Sequence, residues 1–105
     1  MGPYETSPWM PGVPLGSILA NQNVAYTGTA GVIANPVGGT TGDWRIVRIL
    51  CTTQAFVAIG AAPTATTSSM PIGAWAAEYF VIPGGWKVSA IQSSAAGTLY
   101  VTETN

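Results

Sequence analysis

No window of ten residues in this chain sustains a helical period, and that constrains the fold more than any other property of the sequence. Apolar residues come instead in short runs, each closed by glycine, proline, serine or threonine. Trp44–Cys51 is the strongest strand, rich in Ile, Val, Leu and Trp. Thr52-Thr53 leads tightly into Gln54–Gly60, and Ala61–Trp75 reads as a long loop of small residues. Glu78–Ile82, the turn Pro83-Gly84-Gly85, Trp86–Gln92, a second turn at Ser93–Gly97, and Thr98–Glu103 complete the pattern. Asn23–Gly28 and Gly31–Asn35 are weaker strand candidates, and Pro36–Asp43 is a glycine-rich loop. Tight connections imply antiparallel pairing. The expected fold is all-β, an antiparallel β-sandwich or jelly roll.

Residues 1–23 stand apart as an arm, before a β-sandwich domain over 24–105. Pro3, Pro8, Pro11 and Pro14, with Gly2, Gly12 and Gly16, exclude a stable helix or a central strand. The same stretch carries Tyr4, Trp9, Met10 and Leu15, more apolar anchors than a solvated linker holds. The expectation is an extended, Pro-rich N-terminal arm lying on another surface, with an arm folded back on its own domain as the competing reading. Deleting residues 1–22 is then expected to weaken docking more than folding.

The face patterns sharpen this. In Thr98–Glu103, Leu99 and Val101 share one face, while Thr98, Tyr100 and Thr102 share the other. In Trp44–Cys51, Trp44, Ile46 and Leu50 lie opposite Val47 and Ile49, so both faces of this strand want cover. One face can pack on a facing sheet. The other needs the arm, a loop or a second subunit. Charge points the same way. Only 7% of residues are charged, 48% are hydrophobic, and the net charge is -1; about 25% charged is usual. A chain with so few charges is poorly protected against association, so part of its surface is expected to be covered by other chains.

Residue chemistry argues against catalysis. There is no histidine, and the carboxylates Glu5, Asp43, Glu78 and Glu103 are scattered. Asp43 with Arg45 and Arg48 reads as a surface charge cluster whose two arginines point to opposite faces. Glu78 and Lys87 flank one apparent hairpin and read as a cross-strand ion pair. Cys51 has no evident base and reads as a buried free thiol. No catalytic residue, metal site or cofactor is expected. The paired glycines Gly38-Gly39 and Gly84-Gly85 lack a strand–loop–helix context, and turns explain them better than phosphate binding. Three basic residues cannot build a nucleic-acid footprint, and no apolar span suits a membrane helix or a signal peptide. The aromatic residues remain. Core packing is the default for each, with Trp75 the best interface candidate and Trp9 the best anchor for the arm. The candidate interface residues are Tyr4, Trp9, Met10, Leu15, Trp75 and Tyr100.

Over residues 44–105, the run Gly60-Ala61-Ala62-Pro63-Thr64-Ala65-Thr66-Thr67-Ser68-Ser69-Met70 is followed by Glu78–Gly85, Lys87–Gln92 and Gly97–Glu103. Together these segments resemble the small β-rich virion proteins of tailed bacteriophages, nearest to the capsid decoration (cement) proteins. The resemblance implies a β-sandwich made in the host cytoplasm and resident in the virion. It implies a homotrimer at threefold positions that clamps the major capsid protein and stabilises the head lattice. Two alternatives stay open: a head–tail connector or tail component, which would form a ring, and a receptor- or carbohydrate-binding virion module, which needs exposed aromatics with polar partners around a shallow groove.

Overall fold

The computed structural model describes residues 6–7, 10–14, 18–39 and 42–104, and every described element is a β-strand. In chain order these are β1 (Thr6–Ser7), β2 (Met10–Pro14), β3 (Ile18–Tyr26), β4 (Gly31–Val32), β5 (Arg45–Cys51), β6 (Ala55–Gly60), β7 (Met70–Ile72), β8 (Glu78–Ile82), β9 (Lys87–Gln92) and β10 (Gly97–Thr104). β1 and β2 pair with each other as an antiparallel ribbon, Thr6 opposite Pro14 and Ser7 opposite Met10. The other eight strands form two four-stranded sheets, ordered β3-β10-β5-β8 and β4-β9-β6-β7.

That order is a jelly roll. β6 and β7 form the innermost antiparallel pair, and β5 with β8, β4 with β9 and β3 with β10 pair successively outside them. The nested pairs are wound so that the chain changes sheet at every connection except β6–β7. The tight turns expected to close hairpins therefore cross between sheets. Thr52-Thr53 carries the chain from β5 in one sheet to β6 in the other, and Pro83-Gly84-Gly85 does the same from β8 to β9. Glu78 and Lys87 consequently lie in different sheets, and the cross-strand ion pair expected between them is not formed.

Two boundaries differ from the sequence reading. β3 begins at Ile18 and pairs along its length with β10, so it crosses the division placed at residue 23. A deletion of residues 1–22 would remove Ile18–Gln22 from the sheet. The segment 61–75 is not all loop, because Met70-Pro71-Ile72 forms β7. Pro71 obscured it, since proline cannot donate to a ladder. β7 is the edge of its sheet, where that missing donor does no harm.

The core lies between the sheets. Val47, Ile49 and Cys51 of β5 and Leu99 and Val101 of β10 face Val57 of β6 and Val88 and Ala90 of β9, all fully or almost fully buried. Period-two alternation thus selects the inner face as expected. The one buried Tyr or Trp among the described residues, Tyr26, ties the β5–β6 corner. Its hydroxyl lies 2.8 Å from the Thr53 carbonyl and accepts from the Thr53 amide at 3.2 Å. Gly97 must be small here: a Cβ on it would lie 2.5 Å from both the Tyr26 hydroxyl and Thr53 Oγ1.

Candidate functional site

The two outer faces are treated differently, and the difference locates the site. Over the β4-β9-β6-β7 sheet, part of the loop between β6 and β7 folds back. Ser89 of β9 points outward yet is buried, because its Oγ accepts from the Ala65 amide and donates to the Gly31 carbonyl, each at 3.0 Å. Ala65 is buried with it.

The outer face of β3-β10-β5-β8 retains exposed aromatic and aliphatic side chains. Register places its residues in rows. Thr104, Ile46 and Val81 share one row; Asn21, Thr102, Arg48 and Tyr79 share the next; Asn23, Tyr100 and Leu50 share the third. Trp44, two residues before Ile46, continues the same face of β5. Trp44 and Val81 are each 64% exposed, so this end of the sheet presents a bare apolar patch. Trp86, just past the Pro83-Gly84-Gly85 turn, is exposed too.

At the other end is a shallow open groove of about 340 Å³, lined by Asn21, Arg48, Leu50, Trp75, Tyr100 and Thr102. Leu50 is nearly buried and forms the floor, while Trp75 is 68% and Tyr100 37% exposed. Trp75 holds a left-handed backbone, φ 58°, which a bulky residue seldom adopts. Its amide donates to the Cys51 carbonyl at 2.7 Å, next to a bridge between Cys51 and Ala74, and these contacts hold the turn in place. Thr102 Oγ1 donates to Asn21 Oδ1 at 3.0 Å, which leaves the Asn21 amide group directed elsewhere. Arg48 is half-buried and forms no ion pair among the described residues.

The charge cluster resolves into two parts. Arg45 and Arg48 do face opposite ways. Arg45 sits between Asp43, at 3.7 Å, and Glu103, at 3.6 Å. Glu103, one of the scattered carboxylates, is buried and accepts from the Gly38 amide at 2.8 Å. The glycine loop at 38–39 thus offers an amide to an internal carboxylate. Gly38 needs its φ of 77° to do so. Cys51 is fully buried, and burial pushes its thiol from 9.0 up to about 11, with a hydrogen bond to Tyr26 acting in the opposite direction.

Of the sequence candidates, Trp75 and Tyr100 come together in the groove. Met10 lies in β2, and Tyr4, Trp9 and Leu15 lie outside the described residues. The default of core packing does not hold for Trp44, Trp75, Trp86, Tyr79 or Tyr100, all exposed. Sequence reasoning missed Arg48, Leu50, Asn21 and Thr102 as groove residues. Alternation put Leu50 on the same face as Trp44 and Ile46, and Tyr100 on the face opposite Leu99 and Val101, but the adjacency of β5, β10 and β3 is not written in chain order. Compared with protein-family models, curated proteins and solved structures, the chain matches none.

Proposed function

We propose that this chain is a virion structural protein, a capsid decoration (cement) protein that binds the major capsid protein and stabilises a phage head lattice as a homotrimer. The observation that carries the reading is the exposed patch of Trp44 and Val81, with half-buried Ile46 beside them, at one end of the outer sheet face. Exposed apolar clusters of this kind mark interaction surfaces. The scarcity of charge fits a chain whose solubility depends on being covered. Jelly rolls also recur in viral capsid and lectin domains, an analogy of fold that supports the reading without carrying it. Binding needs no chemistry. Apolar area removed from water contributes roughly 25 cal/mol per Å² before ordering costs are subtracted. A symmetric oligomer on a repeating lattice then multiplies modest contacts.

The test is co-sedimentation with undecorated capsids, using Val81→Lys and Trp44→Ser, with native mass spectrometry for the oligomer. Both positions are exposed, so the substitutions should leave the fold within about 0.5 kcal/mol of the parent. Lost binding with an intact fold supports the proposal, and undiminished binding by the double variant rejects it. Six or twelve subunits instead of three would move the assignment to a ring component.

A further inference from the structure

We propose that the groove at the Trp75 end of the outer sheet face binds an anionic pyranose, a uronate unit of an acidic polysaccharide. This goes beyond lattice docking and stands on the opposite end of the sheet. Leu50 and Ile46 are four residues apart on β5, which separates the two ends by roughly 13 Å at strand rise.

Three observations converge. The first is the backbone of Trp75. A tryptophan at φ 58° is strained, and such strain persists where the surrounding structure imposes it and clusters at ligand clamps. Here the Cys51 carbonyl imposes it, and the result is an indole held away from the core. A tryptophan that is 68% exposed lies outside the sandwich core. The second is the division of the groove into an apolar row and a polar row. Tyr100 and Leu50 lie directly opposite each other, with Trp75 beside them, and form a surface suited to the C–H face of a sugar ring. One register step away, Asn21, Thr102 and Arg48 lie side by side across three strands. A pyranose has this division, with C–H groups on a face and oxygens on its perimeter.

The third observation concerns the sign of the polar row. Thr102 occupies one lone pair of the Asn21 carbonyl oxygen, and both N–H donors of the Asn21 amide remain to offer. Arg48 offers only N–H groups, in a fork that matches a carboxylate. Among the described residues no acid forms an ion pair with it. A row of donors beside an arginine that has no acidic partner among the described residues selects an acceptor-rich anionic group. A single arginine is too little for a nucleic-acid backbone but enough for one carboxylate per sugar. The groove volume, about 340 Å³, lies at the small end of ligand sites, which run roughly 300–1,000 Å³.

The test uses the full chain, with alginate oligosaccharides as the acidic probe and dextran oligosaccharides of equal length as the neutral one. Isothermal titration and tryptophan fluorescence report binding. The variants are Trp75→Gly, which removes the indole but tolerates the positive φ, and Arg48→Gln, which keeps hydrogen-bonding capacity without charge. The expected result is alginate binding that each variant weakens by about tenfold or more, while thermal melts show that both remain folded. Trp75→Gly should melt no lower than the parent, since it relieves strain. Equal binding of dextran and alginate overturns the acidic assignment. Absence of binding to both, or unchanged alginate affinity in Trp75→Gly, overturns the site. Capsid co-sedimentation by the same variants should be unchanged, so failure here leaves lattice docking untouched.

Discussion

The carboxylate of Glu103 lies 3.6 Å from Nε of Arg45, buried, and shares its Oε1 with the Gly38 amide at 2.8 Å. It joins the last strand of the sandwich to the start of β5 and to the 36–43 loop. Glu103→Ala would leave the Gly38 amide without this acceptor and Arg45 without its buried counter-charge. Removing one partner of a buried ion pair costs about 3 kcal/mol or more. Asp43, the other acid on Arg45, has a side chain 67% exposed, and Asp43→Ala should cost under about 1 kcal/mol. Urea unfolding of the two variants checks the contrast. Equal effects would mean that Glu103 is better solvated than its burial implies.

Cys51 should be silent to a thiol-reactive disulfide probe in the native protein and react only on unfolding, since its thiol is fully buried and its ionisation is pushed up to about 11. The same shift sets a pH dependence. Between 9.0 and about 11 the unfolded chain has released this proton and the folded chain has not. The unfolded state binds fewer protons, so stability falls as pH rises through that window, by at most about 1.4 kcal/mol per unit. Below it the contribution is fully present. Cys51→Ala supplies the control: its stability deficit relative to the parent should narrow as pH rises from just below 9.0 toward 11.

Tyr26→Phe removes the hydroxyl that accepts from the Thr53 amide and lies within 2.8 Å of the Thr53 carbonyl. The amide is left part-buried without that acceptor, at a cost of about 1–3 kcal/mol. Gly97→Ala places a methyl against the same hydroxyl. If the clash is the cause of its destabilisation, the double variant will be less destabilised than the sum of the single ones. Thermal melts of the four proteins measure this.

Ser89→Ala removes the hydrogen bond that ties the Ala65 amide of the β6–β7 loop to β9, together with the one from Ser89 to the Gly31 carbonyl of β4. Hydrogen exchange at the Ala65 amide should accelerate sharply, while amides in β5 and β10 change only with global stability. Uniform acceleration throughout the chain would show that the loop is not an independently opening unit.

The sequence made the strands legible and left their partners hidden. Alternation in Thr98–Glu103 separated the buried Leu99 and Val101 from the outer face, and the run Trp44–Cys51 was split into its two faces without a choice of the inner one, because side-chain direction is fixed by local geometry. Turn residues marked the ends of β5, β6, β8, β9 and β10 closely, but missed the start of β3 and the whole of β7. What they could not mark was destination. A glycine-rich corner looks the same whether the next strand returns beside the last or crosses to the facing sheet, so the Glu78–Lys87 hairpin was the natural reading and the wrong one. The groove suffered from the same blindness. Tyr100 and Leu50 meet only because β10 lies against β5, a pairing set by the nested order of the whole roll. The exposure of Trp75 was legible from its setting among small residues, but its left-handed backbone was not, since nothing in the sequence advertises a tryptophan in a conformation that favours glycine.

The place of β10 has a consequence for how the molecule is made. It is the final strand of the sandwich in chain order, yet it lies between β3 and β5. A ribosome delivers β3 first and must release residues 97–104 before that sheet can close. Until then β3 and β5 each present an unpaired edge, the arrangement most prone to joining the wrong chain. The contacts that close it span most of the sequence, and such contacts form slowly. The closing of this sheet therefore waits on residues 97–104, and removing them would take away its central seam.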